Sequence, residues 1–461
     1  MNEYGDREAL RGGQLDDHRQ ALLDAVDQML AANDSAALGL ILNSQHPADL
    51  AALFRHLDEE EGQRVMAAIA APLAGEMLAE MDRPTMLEAT EKLDAEEISE
   101  LVEEMQPDDA ADVLGDLDAA QSQDVLELME EGAEEVRELM AHPEDTGGGI
   151  MTSRLVAVHE RLTVAEAIDY LREWAREEET FYLYVVDEEN RLVGTVPLRR
   201  LLLSSRDAVL AELTKRDPIS VQAGMDQEEV ARVFAEYDLL ALPVVEESGE
   251  LIGQVTIDDI VDVIQEEATE DIYEMAAIRP DALEERALFP LVYRRLPWLL
   301  VCLLVALCSA VVIDSFEATL TSSAALVLFI PAVMAMGGNS GIQTSTVTVR
   351  SLALGHLQGG MMRTSVLREL RISLAMGLVL GFLVYAVAGI WVGGSVGECV
   401  GLAMAVAVVV SAGLGATIPL IFRGLGIDPA VASGPLITAL NDVLSLLIYF
   451  GISFYIIRLW G

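Results

Sequence analysis

The chain of 461 residues predicts a multidomain protein: an all-α superhelical N-domain, a tandem α/β pair, and an α-helical transmembrane domain with five spans. Three observations predict it. Residues 1–296 carry 70 acids against 23 bases, whereas the rest carries six of each and is otherwise almost wholly apolar. Within the acidic part, one stretch repeats at a period of 60 with helical spacing. A second stretch repeats at a period of 59 and reads strand–turn–strand.

Residues 1–145 read as helices joined by short polar turns. "HPADLAALFRHLDEEEGQRVMAAI" from His46 and "QPDDAADVLGDLDAAQSQDVLELM" from Gln106 match at Pro47/Pro107, Leu57/Leu117 and Val65/Val125. Apolar residues recur at three and four, the spacing of one helix face. The prolines mark helix starts, because the first turn leaves its N–H groups unpaired in any case. A stacked-helix, solenoid-like domain follows. "HPEDTGGGIMT" then ends the helical pattern with three glycines.

Residues 146–265 change character. "FYLYVVDEENRLVGTVPL" and "LLALPVVEESGELIGQVTI" each read strand–turn–strand, with Val185-Val186 recurring as Val244-Val245 and Gly194 as Gly253. An amphipathic helix precedes each, "TVAEAIDYLREWA" and "DQEEVARVFAEYD". Two such units should pack as a pair. Residues 258–296 form an acidic connecting helix and linker, with Asp258, Asp259, Asp262, Glu266, Glu267, Glu270 and Asp271 at roughly helical spacing. A solvated helix explains that spacing as well as a cation-binding one does.

Residues 297–461 hold five apolar segments, near 297–317, 321–347, 372–393, 397–422 and 434–459. Arg350, Arg363, Arg368 and Arg371 fall around the connection between the second and third. The first-to-second and third-to-fourth connections have no Lys or Arg. The positive-inside rule then makes the N-terminus cytoplasmic and the C-terminus extracellular, in a multi-pass protein of the cytoplasmic membrane. Arg458, near the outer end, is an exception.

Composition narrows the function. A net charge of −47 argues against nucleic acid or anionic lipid as a partner of the soluble half. Lys92 and Lys215 are the only lysines, a bias suggesting a salt-loving organism, so most acids should be solvated surface. Cys302, Cys308 and Cys399 have no metal spacing, and no Cys/His cluster suits structural zinc. The N-terminus is polar, without a signal peptide. No nucleophile–base pair or phosphate loop points to an enzyme.

The chemistry lies in the spans and in the acids. "GPLITALNDVLSLLIYFGISFYIIRLW" contains Asp442, eight residues past Gly434. A carboxylate there costs roughly 2.5–3.5 kcal/mol on insertion scales and marks a cavity, a pore or a partner helix. Thr438 lies one turn earlier on the same face. In "VLFIPAVMAMGGNSGIQTSTVTVR", Pro331 and the run Gly337–Gly341 should break the helix and free carbonyl oxygens, with Asn339 and Gln343 adding side-chain oxygens. Close packing of small residues is the alternative for the glycines. An all-oxygen environment suits Mg²⁺ or Ca²⁺ rather than zinc or copper.

These residues resemble the MgtE family of magnesium channels and transporters over nearly the whole chain. "PAVMAMGGNSGIQ" is similar to its signature in the second span, and "IDPAVASGPLITALND" to the one entering the fifth. "PDDAADVL" and "HPEDTGGGIMT" resemble its N-domain and the junction to its tandem CBS pair. The resemblance implies a homodimer in the lipid bilayer with one pore, Mg²⁺ as both transported ion and regulator, and a cytosolic gate. Asp442, Thr438 and Asn339 become pore residues. Asp108, Asp112, Glu228, Asp238, Asp259, Asp262, Glu267, Glu270 and Asp271 become regulatory ligands, the last three on a "plug" helix. CBS pairs often bind adenine nucleotides, and ATP is implied for this family, with Thr256 and Asp259 of "TIDD" as the contacts. The first unit ends "GTVPLRRL", with Arg200 where the family more often has an aspartate.

The leading reading is a Mg²⁺-selective channel gated closed by internal Mg²⁺. The alternatives are a secondary divalent-cation transporter coupled to H⁺ or Na⁺, and a membrane-anchored nucleotide sensor.

Overall fold

The computed structural model describes residues 3–174, 180–276, 278, 288–353, 355, 361–432 and 434–460. It divides into two compact units, Met1–Val263 and Ile264–Gly461. The first begins with α1 (Glu3–Ala32), α2 (Ser35–Leu42), α3 (Pro47–Phe54), α4 (Glu59–Met66) and α5 (Ala71–Ala79). It continues with α6 (Arg83–Thr90), α7 (Ala95–Val102), α8 (Pro107–Asp116), α9 (Ala119–Leu128) and α10 (Ala133–Leu139).

The repeat is shorter than the sequence pattern suggests. The N-caps of α2 to α9 are Asp34, His46, Asp58, Ala70, Asp82, Asp94, Gln106 and Asp118, one every 12 residues. The period of 60 spans five of these units. Four residues past each cap the residue is buried: Leu38, Leu50, Gly62, Ala74, Met86, Ile98, Ala110 and Ser122. Each helix packs on the next but one, α2 on α4, α3 on α5, and so on to α8 on α10. A 12-residue unit is one short helix and a turn, too small to enclose its own apolar face, so the faces close by stacking. Asp34, Asp58, Asp82, Asp94 and Asp118 each accept backbone N–H groups of the helix they start. Part of the acid excess is therefore capping.

The tandem pair comprises β1 (Ala157–His159), α11 (Val164–Trp174), β2 (Tyr182–Val186), β3 (Leu192–Pro197), α12 (Leu198–Leu203), α13 (Leu210–Leu213) and β4 (Lys215–Arg216). Its second half is β5 (Val221–Gln222), α14 (Gln227–Tyr237), β6 (Ala241–Val245) and β7 (Leu251–Thr256). The sheets run β1-β2-β3-β4 and β5-β6-β7, each with a parallel pair followed by an antiparallel hairpin. Val185 pairs with Gly194 and Val244 with Gly253, and both hairpins shift register at the same place. Both glycines admit close neighbours: a Cβ would lie 2.6 Å from the Lys215 carbonyl at Gly194 and 2.5 Å from the Met151 sulfur at Gly253. The two hairpins join through Leu192 N–H to Gly249 O (3.1 Å), Leu251 N–H to Asn190 O (3.0 Å), and buried Tyr184 Oη–H to Gln254 Oε1 (2.8 Å).

Helix α15 (Ile257–Met275) leaves the pair and runs into the second unit. Residues 277 and 279–287 of the predicted connecting segment lie outside the described residues. The second unit contains α16 (Leu288–Ser315), α17 (Glu317–Ser322), a 3-10 turn (Ala324–Phe329), α18 (Ile330–Ala353), α19 (Met361–Trp391), α20 (Gly394–Gly424) and α21 (Pro435–Trp460). Among the described residues, five stretches are long and apolar enough to cross a membrane: Leu291–Ser315, Ala324–Ala353, Met362–Trp391, Gly394–Gly424 and Pro435–Leu459. Tyr449 Oη–H donates to the Leu326 carbonyl (2.8 Å), tying the 3-10 turn to α21.

The expected break in the second span is absent. Helix α18 is continuous through Gly337–Gly341, and Pro331 lies in its first turn, where its missing N–H costs nothing. Peptide groups in hydrocarbon must be satisfied within the segment, so the ladder persists. The glycines are used for packing instead: Gly337, Gly338 and Gly341 are buried, and a Cβ at 337 or 341 would collide with Ser445 or Asn441 of α21.

Candidate cation sites

Two helix starts converge in the first unit. Pro107 opens α8 and places Asp108 and Asp109 in its first turn, with Asp112 one turn on. Thr256 precedes α15, and its backbone N–H (3.3 Å) and hydroxyl (2.6 Å) both donate to Asp259 Oδ2, which holds Asp258 and Asp259 at that helix's start. N-terminal dipoles favour acids at both places. Packed together, the carboxyls resist ionisation. Asp109 is pushed up to about 7 by burial, then by Asp108, Asp259, Glu80 and Asp258. Asp259 is pushed up to about 7 by burial, with Asp108 and Asp258 adding to it against the Thr256 bond. Asp108 is raised by burial against hydrogen bonds that include one from Thr152, and among the described residues its buried Oδ1 has no partner.

Asp112 is pushed up to about 8 by desolvation, then by Asp109, Asp108, Asp116 and Asp259. Its side chain also keeps an exposed face, so water screens it, and Asp109 and Asp259 carry more of the argument. Among the described residues, no three His, Cys, Asp or Glu side chains stand arranged to hold a metal ion. An inwardly facing, unpaired carboxylate oxygen among elevated acids is nevertheless the electrostatic signature that a divalent cation would relieve.

The other predicted ligands of this unit do not join that cluster as one group. Glu228 and Asp238 stand at opposite ends of α14, roughly 15 Å apart along its axis. Both are exposed, and Asp238 is the left-handed C-cap, φ 50°. Asp262 is exposed one turn after Asp258.

A second acidic cluster lies in the second unit, at the C-terminal half of α15. Glu274 is pushed up to about 7 by burial, then by Asp428, Glu270, Asp271 and Glu267, and among the described residues its buried Oε2 has no hydrogen-bond partner. Asp271 is raised by burial and by Asp428 against the pull of Arg350. Asp428, in the connection before the fifth span, is exposed and accepts the Ala430 N–H at 2.6 Å. The last turn of α15 also abuts that span's entrance: a Cβ on Gly434 would collide with the Met275 carbonyl. Sequence reasoning picked out Glu267, Glu270 and Asp271 but missed Glu274 and Asp428, just as it missed Asp109 and Glu80 in the first cluster. Asp109 lay in plain view within "PDDAAD", whereas Glu80 and Asp428 have no local signal.

Within the spans, Thr438 and Asp442 are half-buried and one turn apart on α21, and the Thr438 hydroxyl donates to the Gly434 carbonyl (3.2 Å). A Cβ on Gly338 would lie 4.0 Å from Thr438 Cγ2, so α18 and α21 meet there. Asn339 and Gln343 occupy an exposed face of α18. With α18 unbroken, its carbonyls are engaged in the ladder, and the oxygens on offer are those of side chains.

Five helices long and apolar enough to cross a membrane, following an acidic part with a tandem α/β pair, fit a multi-pass membrane protein. Family models agree: a divalent cation transporter model, MgtE, matches residues 330–452, the MgtE intracellular N domain matches 45–145, and CBS domains match 148–207 and 210–266. The magnesium transporter MgtE of Bacillus subtilis is 36% identical over 416 residues, covering 90% of this chain and 92% of that one. The Thermus thermophilus magnesium transporter MgtE is 36% identical over 442 residues, covering 94% and 98%. The crystal structure of the cytosolic domain of the Mg²⁺ channel MgtE in complex with ATP is similar at a TM-score of 0.50 and 36% identity, covering 52% of this chain and 99% of that one. The chain belongs to the MgtE family.

Proposed function

We propose that the protein is a Mg²⁺-selective channel of the cytoplasmic membrane that admits magnesium and is closed by magnesium on the cytosolic side. Mg²⁺ transport is supported by the full-length relatives named for it. The observation that carries the regulatory reading is the pair of acidic clusters at the two ends of α15, with Asp109 and Asp259 lifted to about 7 at one and Glu274 to about 7 at the other, each with a buried oxygen unpaired among the described residues. Regulatory Mg²⁺ would supply the positive charge that such clusters lack. Asp108, Asp109, Asp112 and Asp259 would hold it at one end, and Asp271, Glu274 and Asp428, with Glu267 and Glu270, at the other. Glu228, Asp238 and Asp262 are weaker sites of the same kind. Several weak ligands acting together give a steep response.

In this reading two copies of the chain meet along α18 and α21. Asp442, Thr438 and Asn339 of each line a shared pore and draw a hydrated ion through by charge, without stripping its water. The N-terminus is cytoplasmic, the C-terminus extracellular, and the functional modules are residues 1–145, 146–265, 258–296 and 297–461. An adenine nucleotide is an alternative ligand of the CBS pair, supported by the ATP complex of the similar cytosolic domain, with Thr256 and Asp259 as its contacts when Asp259 does not hold Mg²⁺.

The test is single-channel recording from proteoliposomes with internal Mg²⁺ varied, for wild type and Asp442→Ala. Wild type should pass current far faster than a carrier cycle and close as internal Mg²⁺ rises, and the variant should lose selective conduction. Unchanged conduction in the variant removes the pore assignment. Flux that is only carrier-slow and follows a proton or Na⁺ gradient favours a coupled transporter.

A further inference from the structure

The spans contain a polar seam that the pore does not use. Gly337, Gly341 and Ser345 stand one turn apart on α18, Ser411 and Gly415 on α20, and Asn441 and Ser445 on α21. The three rows meet. A Cβ on Gly337 would collide with Ser445 Oγ and lie 3.2 Å from Ser411 Oγ. One on Gly341 would collide with Asn441 Nδ2, and one on Gly415 would collide with the Gly341 carbonyl and lie 3.2 Å from Ser345 N.

Asn441, Ser345 and Ser445 are each 0% exposed, so neither lipid nor a second protomer reaches them. Yet both amide atoms of Asn441 and the hydroxyls of Ser345 and Ser445 have no hydrogen-bond partner among the described residues. Trp298 Nε1 and the Ser309 and Ser453 hydroxyls of the spans are likewise buried without a partner among the described residues, but other span hydroxyls are satisfied. Thr348 donates to Thr344 O at 2.9 Å, Ser340 to Val408 O at 3.1 Å, and Ser373 to Glu369 O at 2.8 Å. Unmet groups of this kind in a hydrocarbon-embedded bundle require an occupant. The set mixes donors with acceptors and contains no carboxylate. The Asn441 NH₂ would repel a cation, whereas water satisfies donors and acceptors alike.

We infer that the α18–α20–α21 junction is a hydration site holding ordered water inside each protomer. That water joins the turn of α21 bearing Asn441 and Asp442 to the two helices behind it.

Radiolytic hydroxyl-radical footprinting of the full chain in lipid nanodiscs tests this, because radicals form where water is bound. Ile437 is 0% exposed and its Cγ2 lies 3.1 Å from the Cβ position of Gly341, whereas Leu326 is equally buried in the apolar core. Ile437 should be modified several-fold faster than Leu326, and S345A/S445A should lower the Ile437 rate while leaving Leu326 unchanged. Equal protection of the two side chains in the wild type overturns the site, and decides the matter even if the double variant does not fold. An Ile437 rate unchanged in a folded double variant overturns it too, and modification that depends on Na⁺ in the buffer assigns a cation instead of water.

Discussion

Asp109 shows how a residue's chemistry is set by its neighbours. Its carboxyl is an ordinary aspartate in the unfolded chain and is pushed up to about 7 in the folded one by burial and by Asp108, Asp259, Glu80 and Asp258. The folded state therefore holds protons that the unfolded state releases between about pH 4 and 7. Stability from this group is present below its unfolded pKa and is lost as pH rises through 7. Asp259 behaves alike. In EDTA the chain's melting temperature should therefore fall from pH 6 to pH 8, and the rise on adding Mg²⁺ should be larger at pH 8, where fewer protons compete. Asp109→Asn should stabilise the cation-free protein, by about 1.4 kcal/mol for each pKa unit relieved, and shrink the Mg²⁺ response. Calorimetry at the two pH values checks both. A Mg²⁺ response independent of pH would mean these carboxyls are not where the ion acts.

At the scale of elements, the N-terminal helices are short and depend on their ends. Asp94 accepts the N–H groups of Glu96 (3.1 Å) and Glu97 (3.0 Å), and Glu97 returns a bond to Asp94 N–H (3.0 Å). Asp94→Ala should cost about 1 kcal/mol, read by urea denaturation, with no change in Mg²⁺ affinity because this acid caps rather than binds. The twelve-residue unit was half legible. Pro47/Pro107 and the matched leucines exposed the period of 60, but caps of four residue types hide the shorter repeat until the backbone shows where each helix begins. The second span was misjudged for the opposite reason. Glycine breaks helices in water, where free peptide groups are solvated, but in hydrocarbon the ladder is kept and glycine serves close approach. The same closeness occurs at Gly434. Gly434→Ala should push the Met275 end of α15 aside, seen as faster amide exchange over residues 270–276.

For the molecule as a whole, α15 carries carboxylates at both its ends. Neutralising Glu267, Glu270 and Asp271 should leave conduction open at high internal Mg²⁺, with Glu274→Gln adding to the effect. Proteoliposome flux with Mg²⁺ clamped inside decides it, and normal closure in these variants would return the acids to surface solvation. Screening in a saline cytoplasm weakens repulsion among exposed acids but not among buried ones. Closure should therefore depend more on Glu274 than on Glu270, which is exposed.

The amino-acid sequence alone determined the domain order, the helical and strand periods, the five spans and the intramembrane Asp442, because hydropathy and periodicity are local properties of neighbouring residues. Folding decided which carboxylates meet. Glu80 joins Asp109 and Asp259, and Asp428 joins Glu274, across sequence gaps that no spacing rule links. Coulomb and desolvation energies depend on distance through space and on burial, and both exist only once the chain has folded.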